Sequence, residues 1–235
     1  MKLRRGGSVG VIEAGPAEDK AAAGPSGLRR EWRFFRSQTN AMVIAGALAV
    51  ALAVRIPLGG WRWWDLAVVG GFIALQPFIE WMIHVFILHW RPKELFGRKI
   101  DPLVSRKHRA HHKDPRKTEW IFIPFPVLVQ LIPTSVVLYL LIMPTVRLAL
   151  TTMVTGLSIL FVYEWTHYLI HSRYKPRSAL YRYVWRAHRL HHFKNEKYWF
   201  GVTMHAGDHV LGTFPDKDAV ETSSTCKTLG IAEQV

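Results

Sequence analysis

Glu164-Trp165-Thr166-His167-Tyr168-Leu169-Ile170-His171 closes an apolar run that begins near Val146, and sets one carboxylate and two histidines at the end of a stretch long enough to cross a bilayer. Half a chain earlier, Glu80-Trp81-Met82-Ile83-His84-Val85-Phe86-Ile87-Leu88-His89 closes a run that begins near Leu66. A matching cluster follows each ending: His108-Arg109-Ala110-His111-His112 after the first, His188-Arg189-Leu190-His191-His192 after the second. Ten of the twelve histidines therefore form two sets of five, offset by 84 positions at the glutamates (164 minus 80) and by 80 at the clusters (188 minus 108). A lone membrane histidine is ordinarily a hydrogen-bonded packing residue. Two matched sets exceed what packing or a single ion can satisfy, and two metal ions are the economical reading.

Composition places that site at a membrane. Of 235 residues, 49% are hydrophobic and ten are Trp, and the apolar residues gather into long runs. Four spans of about 20 residues are expected, at 39–58, 66–89, 120–143 and 146–170, each near the length that crosses a hydrocarbon core of about 30 Å. The first is the shortest, with Arg55 expected to snorkel to the surface. Pro77, Pro124, Pro126 and Pro133 fall within or at the ends of spans, where lipid-embedded helices tolerate them.

Lys and Arg number eight before the first span, ten between Trp90 and Glu119, and ten from His171 onward, leaving Arg55, Arg62 and Arg147 for the other face. The positive-inside rule then puts both termini, the middle segment and the histidines on the cytoplasmic side. The same rule accounts for the net charge of +14, and no groove-binding helix or aromatic RNA-binding strand points to nucleic acid. Residues 1–38 are expected to be a disordered basic arm rather than a cleavable signal, 39–215 the membrane-embedded unit, and 216–235 a loose polar tail. Cys226 stands alone, so neither an intrachain disulfide nor a thiolate cluster is expected.

On this topology all ten histidines converge near one membrane face. His167 and His171 point the same way at i and i+4, and His108, His111 and His112, like His188, His191 and His192, present one arc if their segments are helical. His84 and His89 lie about 140° apart on an ideal helix, so either the helix unwinds near Leu88 or the two rings reach different metals. Glu80 and Glu164, costly inside spans, are expected to accept a ring N–H from a liganding histidine, or else to bond to Trp, Tyr or a neighbouring helix. Gln76, Glu80 and His84 make a polar stripe toward the bundle interior. His205 and His209 are read as structural or as outer partners that support a ligand, with Asp208 the better candidate partner for a liganding imidazole.

From Glu80 to Phe214 the sequence resembles the fatty acid hydroxylase superfamily, the membrane di-iron group that includes fatty acid hydroxylases and sterol desaturases. His191-His192-Phe193-Lys194-Asn195, Phe200-Gly201-Val202-Thr203 and Gly207-Asp208-His209-Val210-Leu211-Gly212-Thr213 resemble its fatty acid 2-hydroxylase branch in particular. The resemblance implies an all-α integral membrane fold, four transmembrane helices under a helical cytosolic cap that carries a histidine-rich dimetal site. It also implies two irons held by the ten histidines, O2 as co-substrate, and hydroxylation of an unactivated C–H bond of a lipid, with desaturation the related outcome. No haem electron-transfer domain precedes the spans in this sequence, so an external donor such as a ferredoxin or small haem protein is expected, docking on the basic surface around Lys113, Arg116 and Lys117. Zinc also accepts imidazole, which keeps a zinc-dependent membrane hydrolase open as an alternative. A metal transporter is disfavoured because the ligands lie away from the bilayer midplane.

Overall fold

Helices follow the apolar runs. The computed structural model describes residues 27–231, and the fold is mostly helical. Its elements are α1 (Leu28–Arg36), α2 (Thr39–Arg55), α3 (Trp63–Met82) running on as a π-helix (Ile83–Leu88), a hairpin of β1 (Lys93–Leu95) and β2 (Arg98–Ile100), α4 (Leu103–Lys113), α5 (Thr118–Ile121), α6 (Phe125–Ile142), α7 (Val146–His171), α8 (Ala179–Phe193) and α9 (Ala206–Val210). Three stretches are long and apolar enough to cross a membrane: Trp63–Leu88, Thr118–Ile142 and Val146–His171. α2 has 17 residues and reaches that length only together with α1, from which it departs at a 76° bend.

α7 is the central helix and packs on α2, α3 and α6. Thr145 caps it by accepting from the Leu148 amide at 3.2 Å. Three of its hydroxyls are satisfied within the helix: Thr152 donates to the Leu148 carbonyl at 2.9 Å, Thr155 to Thr151 at 2.8 Å and Ser158 to Val154 at 2.8 Å. That is how polar residues survive in a segment surrounded by hydrocarbon. Ile44, Ala51, Leu128 and Leu157 form the core between α2, α6 and α7. On the outside, Leu66, Ile73 and Leu75 of α3 and Val137, Leu140 and Leu141 of α6 are exposed, the apolar face that a lipid-facing helix presents.

Three expectations are corrected. Arg55 does not snorkel: it is 1% exposed, its Nη2 lies 2.8 Å from Asp65 Oδ1 and its Nε donates to Thr151 Oγ1 at 2.8 Å. A carboxylate on the next helix neutralises it locally, so it has no need of water. Within the basic arm, residues 1–26 lie outside the described residues, but 28–36 are helical and docked. Phe35 is fully buried, 5.0 Å from Trp165 between ring centroids, and the Tyr168 hydroxyl donates to the Glu31 carboxylate. The tail after Asp216 is packed as far as Ile231, with Cys226 and Leu229 buried; residues 232–235 lie outside the described residues. Aromatic and backbone contacts that short polar sequences do not advertise hold both ends.

Candidate metal centre

The histidines arrive from four helices. α4 and α8 are helical through their clusters, so one turn brings His108 over His112 and His188 over His192. His111 and His191 each lie one residue from the end of such a pair, about 100° around the helix, and face elsewhere. α7 delivers His167 and His171 in its last turn. At the end of α3 the helix widens: the His89 amide donates to the His84 carbonyl, five residues back, at 3.0 Å. This π-turn brings His84 and His89 to the same place, with ring centroids 4.9 Å apart, and answers the mismatch of an ideal helix.

All ten histidines gather into two nests of five, and within each nest the ligand nitrogens lie within 4.8 Å of one another. The nests do not follow the sequence sets. One comprises His84, His89, His108, His112 and His191; the other comprises His111, His167, His171, His188 and His192. His111 and His191 have changed places, each leaving its own cluster to complete the nest of the other.

The donor set fits a cation. His84 Nδ1 is 2.5 Å from the Phe200 carbonyl oxygen, His191 Nδ1 2.8 Å from that of Tyr198, and His112 Nδ1 2.9 Å from that of Cys226. A carbonyl only accepts, so each Nδ1 carries the proton and each Nε2 of the neutral ring presents a lone pair. Those lone pairs converge: His112 Nε2 is 3.2 Å from both His191 Nε2 and His108 Nε2, and His84 Nε2 is 3.1 Å from His108 Nε2. Two nitrogens about 2.1 Å from one ion, at roughly 90–110°, would be roughly 3.0–3.4 Å apart. In the second nest, His111 Nε2 and His171 Nε2 are 3.1 Å apart, as are His188 Nε2 and His192 Nε2. His167 bonds to the Ile121 carbonyl, and its Nε2 is buried with no hydrogen-bond partner among the described residues. Burial depresses the pKa of the cluster histidines on α4 and α8, with His191 held near 4, so the rings are neutral and ready to ligate at pH 7.

The acidic residues stand one step further out than the sequence indicates. Glu80 accepts from the Val202 amide, from the Thr203 amide at 2.8 Å and from the Thr203 hydroxyl at 2.6 Å, and among the described residues from no imidazole. Asp208 accepts from the amides of Phe200 at 2.9 Å and Gly201 at 2.7 Å, and its imidazole partner is His205, which lies outside both nests. Both carboxylates thus secure the loop whose Tyr198 and Phe200 carbonyls orient His191 and His84. Glu164 does the same elsewhere: it accepts from the Ile123 amide at 2.9 Å, two residues from the Ile121 carbonyl that orients His167. His209 bonds to the Tyr183 hydroxyl at 2.7 Å, a structural contact as expected. Two conformational demands mark the loop. Trp199, 1% exposed, has φ of 56°, and a Cβ on Gly201 would sit 2.2 Å from the Met204 carbonyl oxygen.

Comparison with known proteins agrees with this geometry. The profile of the fatty acid hydroxylase family matches residues 69–213, more than half of the chain, and the matched region contains both nests. The chain belongs to the fatty acid hydroxylase family. Among curated relatives that resemble this fatty acid hydroxylase family member, the dihydroceramide fatty acyl 2-hydroxylase FAH2 of Arabidopsis thaliana is 28% identical over 150 residues, covering 62% of this chain and 60% of the relative. The fatty acid 2-hydroxylase of Mus musculus is 29% identical over 201 residues, 83% of this chain and 51% of the relative. A solved structure described as full-length scs7p, with only the hydroxylase domain visible, superposes with a TM-score of 0.59 at 22% identity, covering 77% of this chain and 66% of that one; the likeness shows a shared fold. The chain spans 60% or so of the plant relatives and about half of the mouse protein.

Proposed function

We propose that this chain is an integral membrane oxygenase that hydroxylates an unactivated C–H bond of a lipid acyl chain, with the ten histidines holding two irons. The observation that carries the reading is the pair of buried, nitrogen-only nests at the ends of lipid-facing helices. The description of the relatives as fatty acid and fatty acyl 2-hydroxylases supports a fatty acyl substrate and attack at carbon 2. In balance, R–H, O2, two electrons and two protons give R–OH and water, and the electrons come from an external donor. Iron in the nests would supply the activation of O2 and the oxidising power that breaks the C–H bond. The protein does the rest. Carbonyls at residues 121, 198, 200 and 226 fix the imidazole tautomers, Glu80, Asp208 and Glu164 fix the backbone that carries the first three, and burial keeps water from the reacting carbon.

In this reading α1 and α2 together complete a fourth span beside the three long ones. The charge distribution directs both termini, α4 and α8 to the cytoplasm. α4, α8 and the segments around them then form a cytosolic cap, and an acyl chain enters between the spans from the bilayer.

Product analysis tests the reading: purified protein with iron, a reducing donor system and 18-O2, followed by mass spectrometry of lipids. The expected product is an 18-O-labelled lipid alcohol that disappears in His188→Ala. An unlabelled lipid lighter by two hydrogens would assign a desaturase, and oxygen-independent turnover on zinc would assign a hydrolase.

A further inference from the structure

The family match ends at residue 213, yet a main-chain atom thirteen residues beyond it touches the candidate centre. His112 Nδ1 donates to the carbonyl of Cys226 at 2.9 Å, and both residues are buried. The segment that brings Cys226 there is fastened to the end of α8. The Ser223 amide donates to the Lys194 carbonyl at 2.7 Å, Asn195 Nδ2 donates to the Glu221 carbonyl at 3.2 Å, and the Thr225 hydroxyl donates to Glu196 Oε1 at 2.5 Å. It then closes a turn in which the amides of Thr228 and Leu229 both donate to the Thr225 carbonyl, at 3.0 and 2.8 Å, and buries the Leu229 side chain. Leu229 and Gly230 follow with φ of 52° and 69°, which turn the chain back under Arg91, two residues past His89.

We propose that residues 220–230 are a strap belonging to the metal centre, with the Cys226 carbonyl as a positioning group that fixes the tautomer of His112. This rests on the dimetal reading above and adds to it a part outside the region shared with the family. A neutral imidazole carries one ring proton. While the strap claims the Nδ1 proton, Nε2 keeps the lone pair that faces His108 and His191 at 3.2 Å. Without the strap the proton is free to occupy Nε2, where it blocks ligation, and the ring loses its orientation. Outer partners of this kind typically contribute 10–100-fold to metal affinity. The effect is confined to the nest of His84, His89, His108, His112 and His191, because His112 belongs to that nest alone. The positioning group belongs to the main chain, so the register of the strap sets it.

Cobalt(II) titration of the full-length protein in detergent, followed by its visible absorption bands, tests the strap. Wild type is expected to take up two ions. Deleting Ser224 moves the Cys226 carbonyl out of register, and is expected to weaken one ion 10–100-fold and shift its bands while leaving the other unchanged. Linkage adds a measurement on unaltered protein: cobalt should slow hydrogen exchange at the Thr228 and Leu229 amides, since what the strap does for the metal the metal does for the strap. Two ions bound by the deletion variant with wild-type affinity and spectrum, or exchange indifferent to cobalt, would overturn the strap and leave the dimetal reading intact. Fewer than two ions on wild type would instead overturn the dimetal reading itself.

Discussion

At the scale of single residues, carboxyl groups hold the loop and carbonyls hold the rings. Glu80 accepts three hydrogen bonds from residues 202 and 203, so Glu80→Gln turns an amide N–H toward donors and loosens that loop. We expect metal affinity to fall about 10–100-fold at the nest that includes His84 and to stay unchanged at the other, as read by chelator competition. Acid should act on the same residues. Burial holds the folded-state pKa of His191 near 4, below the unfolded value of about 6.5, so between those values the unfolded chain binds a proton that the fold refuses. The stability conferred is therefore complete above about pH 6.5 and is lost as pH falls toward 4, which melting curves of metal-free protein will show as a falling midpoint. The gathering of the ten histidines was legible in the sequence because an imidazole cluster is a pattern of residue type. The carbonyls of Ile121, Tyr198, Phe200 and Cys226 were not, because every residue has one, and so the sequence offered Glu80 and Asp208 as candidate partners of liganding imidazoles, whereas both hold backbone amides and Asp208 pairs with His205 besides.

At the scale of elements, each apolar run became helical within a few residues of its expected bounds, the third with a break at 122–124 between α5 and α6, because burying backbone in lipid leaves little alternative. The π-turn at 83–88 was foreshadowed by the awkward five-residue spacing of His84 and His89, while the 76° bend between α1 and α2 had no comparable signal in the sequence. A π-turn is one residue longer than the helix it interrupts. Inserting an alanine after the exposed Phe86 adds a residue that the widened turn does not absorb, and should rotate His89 away by about 100° and cost the nest one candidate ligand. The expected readout is weaker binding of one ion with near-normal helicity by circular dichroism; unchanged binding of both would show that the widening has no bearing on the centre.

At the scale of the whole molecule, the excess of positive charge meets the outside world beside α4. A cavity of about 810 Å³ there is lined by Arg91, Lys93, Arg109, Lys113 and Lys227, among others, close in sequence to His89, His112 and Cys226. If an acidic donor docks on this face, its reduction rate should fall steeply as ionic strength rises past about 0.1 M, and charge reversal at Lys113, Arg116 and Lys117 should slow it further; a rate indifferent to both would place the donor elsewhere. Two matched sets of histidines announced two nests, but the sequence did not disclose how the sets are shared, since helical periodicity gives an arc of side chains and not the neighbour it meets.

That sharing has a consequence for any attempt to divide the chain. A cut between α6 and α7 would leave the first fragment with four members of one nest plus His111, and the second with four members of the other plus His191. Neither fragment could finish a site by itself, however well it folded. The halves are reciprocal lenders, each holding the fifth histidine of the other's nest, so in the dimetal reading function should return only on complementation, when both fragments meet in one bilayer.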